Sequence, residues 1–107
     1  MGSIRARRSL ALSPRTRRHV EALFDSSDVP AAELILVSRC GARLPGMSRA
    51  TAVDLERIRF AALRLSKGRL ADLADAVTLA ETDWRDLLVA AGFADDATAH
   101  LDWTPDE

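Results

Sequence analysis

The stretch that decides the fold runs from Leu55 to Phe93 and reads LERIRFAALRLSKGRLADLADAVTLAETDWRDLLVAAGF. Apolar residues three or four positions apart form three successive sets in it: Leu55, Ile58, Ala62 and Leu65, then Leu70, Leu73, Ala74 and Val77, then Trp84, Leu87, Leu88 and Ala91. Side chains at this spacing share one face of a helix, so the stretch predicts three amphipathic helices, with a break at residues 78–82. Three such helices in series need a common interior.

The composition favours helices over strands. Of the 107 residues, 48% are hydrophobic and only 5% are aromatic, and the apolar residues are mainly Ala, Leu and Val. Ala and Leu have a high helix propensity, and a chain of this length folds as one domain. We therefore predict an all-α protein, a compact bundle or orthogonal array of four to six short helices. The predicted domain covers residues 13–103, with a flexible basic arm over residues 1–12 and a tail over residues 104–107.

Two helices are predicted before the central stretch. Ser13 followed by Pro14 is typical of a helix start, because serine caps the first backbone amides and proline is tolerated in the first turn. Asp28 and Pro30 predict the next start, and Gly41 is expected to end that helix in a left-handed conformation. The second helix is apolar almost all round, through Leu34, Ile35, Leu36, Val37 and Cys40. Such a helix lies in the centre of a fold or against a partner.

Polar side chains predict how the third helix begins. Thr51 and Asp54 have the spacing of a capping box, in which each side chain accepts a hydrogen bond from the backbone amide of the other residue. Asp54 with Arg57 and Glu56 with Arg59 are three residues apart. At this spacing we expect two ion pairs on the solvent side of the helix.

Glycines predict where the later helices end. Gly68 is expected to end the third helix, and Thr82 is expected to begin a separate fifth one. Gly92 then ends the fifth helix, with Phe93 placed against Leu88 as in a Schellman motif.

Charge is unevenly distributed, although the net charge is only -1. Residues 1–24 carry six arginines and one acid, whereas residues 70–107 carry ten acids and one arginine. Four aspartates at helical spacing are candidate partner-binding residues: Asp72, Asp75, Asp83 and Asp86. Such a cluster suits a basic partner protein, and its spacing does not match a calcium-binding EF-hand loop. The basic arm of this same chain is a candidate for that partner.

The arginines near the start of the chain support an alternative function, nucleic-acid binding, because arginine neutralises phosphates and releases counterions. The candidates are Arg5, Arg7, Arg8, Arg15, Arg17 and Arg18. No aromatic residues alternate with them, and the acidic second half would repel DNA. A helix-turn-helix over residues 70–89 is also disfavoured, because its second helix opens with Glu81, Asp83 and Asp86 instead of side chains that read bases.

The sequence holds no recognisable catalytic or cofactor motif, such as GxSxG, a glycine-rich phosphate loop, HExxH or paired cysteines. Asp96 and His100 are four residues apart, which allows two metal ligands on one helix face, but no third ligand accompanies them. We therefore expect no enzyme, no cofactor and no metal site. With Cys40 as the single cysteine and no run of eighteen apolar residues, we expect a cytoplasmic protein without membrane contact.

The run from Arg59 to Asp86, RFAALRLSKGRLADLADAVTLAETDWRD, continues as LLVAAGFADD and then reaches His100 and Trp103. This pattern resembles the C-terminal half of small bacterial all-helical proteins that have no assigned activity. The resemblance implies an autonomous bacterial domain.

Together these features favour a non-enzymatic module for protein–protein interaction or regulation. Its partner is another protein or a second copy of the chain, met by the apolar second helix or by the acidic face. The alternative is a nucleic-acid-binding regulator that acts through the basic arm.

Overall fold

The computed structural model describes residues 12–41, 44–47 and 49–105. Four α-helices follow one another: α1 (Pro14–Leu23), α2 (Val29–Arg39), α3 (Ala52–Ser66) and α4 (Leu70–Ala91), with a final 3₁₀ turn at Ala99–Asp102. The described residues contain no strand, so the predicted all-α class is confirmed. The radius of gyration is 12.9 Å, close to the roughly 13 Å of a 100-residue globular domain.

The hairpin of α3 and α4 forms the centre of the fold, and it has the most extensive contact between any two elements of the described chain. Helix α2 packs against α4 and α1, while α1 and the 3₁₀ turn both pack against α3. The residues of the hairpin that are almost fully buried include Ile58, Phe60, Ala61, Ala62, Leu63, Leu73, Val77, Ala80 and Leu87. The stretch that was expected to organise the chain therefore supplies most of its core.

The helix starts predicted at Ser13 and Thr51 are confirmed in atomic detail. The Ser13 hydroxyl accepts a hydrogen bond from the Thr16 amide at 3.1 Å. Thr51 and Asp54 form the complete capping box, with Asp54 N to Thr51 Oγ1 at 3.2 Å and Thr51 N to Asp54 Oδ2 at 3.0 Å. The hydrogen bond that the Asp54 carboxylate accepts from the Thr51 amide lowers the pKa of Asp54, because it favours the charged form.

The two glycine-marked helix ends are also confirmed. Lys67 and Gly68 are both left-handed, with φ of 52° and 81°, where α3 turns into α4. Gly92 has φ of 81° and ends α4. The amide of Phe93 donates to the Leu88 carbonyl at 2.9 Å and that of Gly92 to Val89 at 3.1 Å, which is the Schellman pattern.

The end of α2 differs from its prediction. Gly41 does not adopt a positive φ, and α2 ends at Arg39 with Cys40, whose φ is -122°, as its C-cap. The reason is a contact from another helix: Arg59 is buried and its Nε donates to the Cys40 carbonyl at 2.9 Å. The orphan carbonyl at the helix end is thus satisfied by a side chain, without a left-handed turn.

The prediction of two ion pairs on α3 is wrong, because neither pair forms. Arg59 points into the core toward Cys40, away from Glu56. Arg57 donates to the Phe93 carbonyl through Nη2 at 2.6 Å and Nε at 3.2 Å, and to the Ala94 carbonyl at 3.2 Å. Both guanidinium groups therefore bridge distant backbone segments.

The break expected within 78–82 lies at Asp83, whose φ of -160° and ψ of 103° are not helical. The two helices predicted on either side are continuous enough to count as one kinked α4. The Asp83 carboxylate accepts a hydrogen bond from the Arg85 amide at 3.0 Å, so it caps the second half of the helix. The predicted start at Thr82 was one residue early.

Candidate functional site

The four candidate aspartates all lie on α4, but they are not equivalent. Asp72 is half-buried and 3.7 Å from Arg69, whereas Asp75 and Asp86 are exposed. Asp83 is used as the helix cap at the kink. The kink separates Asp86 from the first two, so α4 carries two small acidic groups along its length.

The firmest charge contact of α4 is made by Glu81, which accepts a 2.7 Å hydrogen bond from Arg39 of α2. Arg39 also donates to the Thr78 hydroxyl at 3.0 Å. The hydrogen bond from Arg39 lowers the pKa of Glu81, although both groups lie at the surface. This pair fastens α2 to α4 at its solvent edge.

The arginines proposed for nucleic-acid binding differ in their surroundings. Arg5, Arg7 and Arg8 lie outside the described residues. Arg15 donates to the Leu101 carbonyl, and its guanidinium lies 5.8 Å from the centre of the Phe60 ring. Arg17 lies 3.5 Å from Glu33, and Arg18 is exposed. Arg15 and Arg17 thus hold α1 against its neighbours. Together with Arg18 they do not form one free basic surface.

An apolar stripe runs along the outer side of α2. Leu34 is 66% exposed and Val37 is 42% exposed, and Pro30 and Ala31 in the turn before them are exposed too. We call these four residues the α2 stripe. The opposite side of the helix is buried through Ala32, Leu36 and Cys40. The helix that was predicted to be apolar all round therefore buries one side and leaves the other uncovered by any described residue.

A cleft of about 250 Å³ lies between the loop before α3, the first turns of α3 and the second half of α4. We call it the Trp84 cleft. Apolar side chains line it through Met47, Ala50, Ile58, Trp84 and Leu88, together with Gly46 and the charged residues Arg49, Asp54 and Arg57. Its apolar residues and its arginines come from segments up to about forty positions apart.

Several hydrogen bonds hold the walls of this cleft. The indole Nε1 of Trp84 donates to the Pro45 carbonyl at 2.9 Å, which ties α4 to the loop. The contacts of Arg57 with the chain after α4 hold the guanidinium at the other wall. The sequence pattern placed Trp84 on the apolar face of a predicted helix and did not predict the cleft. The sequence signal that could have indicated the cleft is the loop of residues 44–50, about half of which are apolar, together with the tryptophan on α4.

Both histidine rings pack against Phe60 of α3, with ring centroids 4.5 Å from it for His19 of α1 and 5.4 Å for His100 of the 3₁₀ turn. His100 has no exposed surface, and neither of its ring nitrogens has a hydrogen-bond partner among the described residues. Its Nε2 lies 3.6 Å from a carboxylate oxygen of Glu56, whose other oxygen accepts a hydrogen bond from Ser13 at 2.8 Å. His19 Nε2 lies 3.3 Å from the Trp103 carbonyl. Both histidine rings are therefore part of the core.

The spacing of Asp96 and His100 does not bring them together as ligands. Asp96 accepts hydrogen bonds from the amide and hydroxyl of Thr98, both at 2.9 Å, and faces solvent. His100 faces inward beside Glu56. In the described part of the chain, no three His, Cys, Asp or Glu side chains are arranged to hold a metal ion.

Comparison with protein-family models, with curated proteins and with solved structures gave no match. None of the described helices combines the length and the apolar character needed to cross a membrane. Three surfaces are candidate sites by their geometry: the α2 stripe, the Trp84 cleft and the acidic groups of α4.

Proposed function

We propose that this chain is a non-enzymatic protein-interaction module that associates with a second copy of itself through the α2 stripe. The observation that carries the proposal is the 66% exposure of Leu34 and 42% exposure of Val37, on a helix whose other side is already buried in the core. Single exposed apolar residues are ordinary, but neighbouring ones on a helix face are typical of interfaces.

Charges beside the stripe support an apolar partner over a charged one. Glu33 and Arg39 are the ionisable residues of α2, and each lies within ion-pair distance of a residue on another helix, Arg17 and Glu81 respectively. The stripe is therefore flanked by paired charges. A second copy presents the same neutral, apolar face, which meets itself across a two-fold axis.

The expected dimer is weak. Full burial of a leucine or valine side chain contributes about 1.5–3 kcal/mol, and these side chains are already partly covered. In a two-fold dimer each side chain is buried once in each copy, so its contribution is doubled. This gain is opposed by an association cost of about 4–15 kcal/mol. We therefore expect dissociation in the micromolar range or weaker.

Sedimentation velocity over a range of protein concentrations tests the proposal. The wild type should shift toward a dimer as concentration rises, and Leu34→Lys should remain a monomer. Val89→Lys is the matched control, because Val89 of α4 is also 66% exposed but lies outside the stripe. A wild type that is monomeric at every concentration, or a loss of dimer in the Val89 variant alone, would contradict the proposal.

The acidic groups of α4, with Asp72, Asp75 and Asp86 at the surface, stay a predicted second contact for a basic partner. Nucleic-acid binding through the arginines stays the alternative. It predicts an affinity that falls steeply with salt and disappears when residues 1–12 are deleted.

A further inference from the structure

The Trp84 cleft is a second surface, separate from the α2 stripe, since no residue of α2 lines it. We propose that it binds an acidic peptide segment that inserts one large apolar side chain. This inference goes beyond the proposed self-association and stands on different residues. It rests on the size of the cleft, the charge of its rim and the way its walls are held.

The size of the cleft fits one side chain. Its volume of about 250 Å³ falls below the roughly 300–1,000 Å³ of pockets that enclose whole small-molecule ligands. It exceeds the roughly 150 Å³ of an apolar cavity that holds a benzene molecule. A Phe or Leu side chain from a larger partner therefore fills the cleft, while the partner backbone stays outside.

The lining of the cleft suits that side chain. Met47, Ile58, Trp84 and Leu88 provide apolar surface, and Trp84 provides an aromatic ring. Aromatic rings attract one another beyond the effect of buried area alone. The methionine adapts to irregular shapes, because its side chain is unbranched and flexible.

The rim gives the charge preference. Arg49 and Arg57 line the cleft, and the guanidinium of Arg85 stacks 5.4 Å from the centre of the Trp84 ring. One acid, Asp54, lines the cleft as well, but its carboxylate already accepts the Thr51 amide hydrogen in the capping box. Two guanidinium groups against one carboxylate leave the lining of the cleft net positive, which complements acidic residues beside the inserted side chain.

The walls are held before any partner arrives. Trp84 is bonded to the Pro45 carbonyl, and Arg57 to the carbonyls of Phe93 and Ala94. A binding surface that is already ordered loses less conformational entropy when it is occupied. The cleft is therefore suited to a short peptide that contributes few contacts of its own.

Three synthetic peptides test the inference in ¹⁵N–¹H NMR titrations of the full chain. The first has one Phe flanked by Asp and Glu, the second replaces the Phe by Ala, and the third replaces the acids by Lys. The first should shift the signals of Met47, Leu88 and the Trp84 indole. The other two should bind at least about tenfold more weakly, through loss of the buried ring or of the charge attraction.

Two charge reversals locate the contact. Arg49→Glu, an exposed rim residue, should weaken binding several-fold and reduce its salt dependence. Arg18→Glu, also exposed but on α1, is the matched control and should bind as the wild type does. Leu34→Lys should also leave the peptide affinity unchanged, so a failure of self-association and a failure of peptide binding are told apart.

The contrary outcomes are equally distinct. Equal affinity for the acidic and the Lys peptide, no signal change at the cleft, or changes confined to α2 would each overturn the inference. Concentration-dependent shifts of the cleft signals without peptide would show that a second copy occupies the cleft, and would overturn it too.

Discussion

His100 is fully buried, and burial lowers its pKa below the ordinary value of 6.5. Burial lowers the pKa of His19 as well. A histidine whose pKa is lower in the folded state takes up its proton more readily in the unfolded chain. The contribution of the neutral histidines to the free energy of unfolding is thus fully present above a pH of 6.5. It decreases as the pH falls toward the lowered pKa. The charges that act on the pKa of His100 are those of Glu56, Arg57 and Arg15, and only Glu56 raises it.

The first prediction follows from this sign. The wild type should have a lower free energy of unfolding at about pH 5.5 than at about pH 8, and His100→Phe should reduce the difference. Urea unfolding at the two pH values measures it. Acids with a lowered pKa, such as Asp54, lose their contribution only at lower pH. Equal stability of the wild type at both values would show that the buried histidines do not set the pH dependence.

Gly68 and Gly92 form a matched pair, because both have φ of 81°. They differ in space: a Cβ on Gly68 would lie 2.4 Å from the Leu23 carbonyl oxygen, whereas one on Gly92 would meet nothing closer than Arg64 at 4.0 Å. Gly92→Ala should cost about 1–2 kcal/mol for the left-handed backbone alone. Gly68→Ala should cost more, since the end of α1 must also move. Thermal unfolding of the two variants checks the order, and the reverse order would contradict this packing.

At the scale of elements, the kink in α4 is held by the Asp83 cap. Asp83→Ala removes the hydrogen bond to the Arg85 amide and should cost about 1 kcal/mol. Asp83→Asn keeps the cap and should restore most of it. Asp86→Ala is the control, because Asp86 is exposed on the same helix and should change stability by less than about 0.5 kcal/mol. Equal losses in the two alanine variants, measured by urea unfolding, would argue against the cap.

The elements could be predicted from the sequence where their signals are local. The cap at Ser13, the capping box at Thr51 and the Schellman motif at Gly92 each depend on residues within five positions, and all three are present. The kink was placed one residue early, because Thr82 and Asp83 are both capping residue types and the sequence does not rank them. The end of α2 was predicted at the right place, just before Gly41, but the left-handed conformation of Gly41 was wrong, since Arg59, nineteen positions away, satisfies the Cys40 carbonyl.

At the scale of the whole molecule, long-range contacts limited the sequence predictions. Arg57 was expected to pair with Asp54 on its own helix, but it bonds to carbonyls thirty-six and thirty-seven positions away. The spacing of apolar residues along a helix does not predict such a contact. The Trp84 cleft was missed for the same reason, because its floor combines Met47, Ile58 and Leu88 from three segments. The apolar character of α2, in contrast, was readable from its composition.

The two proposed surfaces differ in their charge and lie on different residues. The α2 stripe is apolar and lies between paired charges, whereas the Trp84 cleft is apolar with a positive rim. No residue is shared between them. Self-association through the first surface and binding of an acidic segment in the second therefore use different residues.

Site-specific cross-linking tests the central claim most directly, because the only native cysteine does not compete. Cys40 has no exposed surface, and burial raises the pKa of its thiol to about 12. Leu34→Cys therefore places a single reactive thiol on the stripe, and Val89→Cys places one at equal exposure on α4. With a short bis-maleimide, the Leu34 variant should give covalent dimer in much higher yield. Equal yields, or a higher yield from the Val89 variant, would contradict self-association through α2.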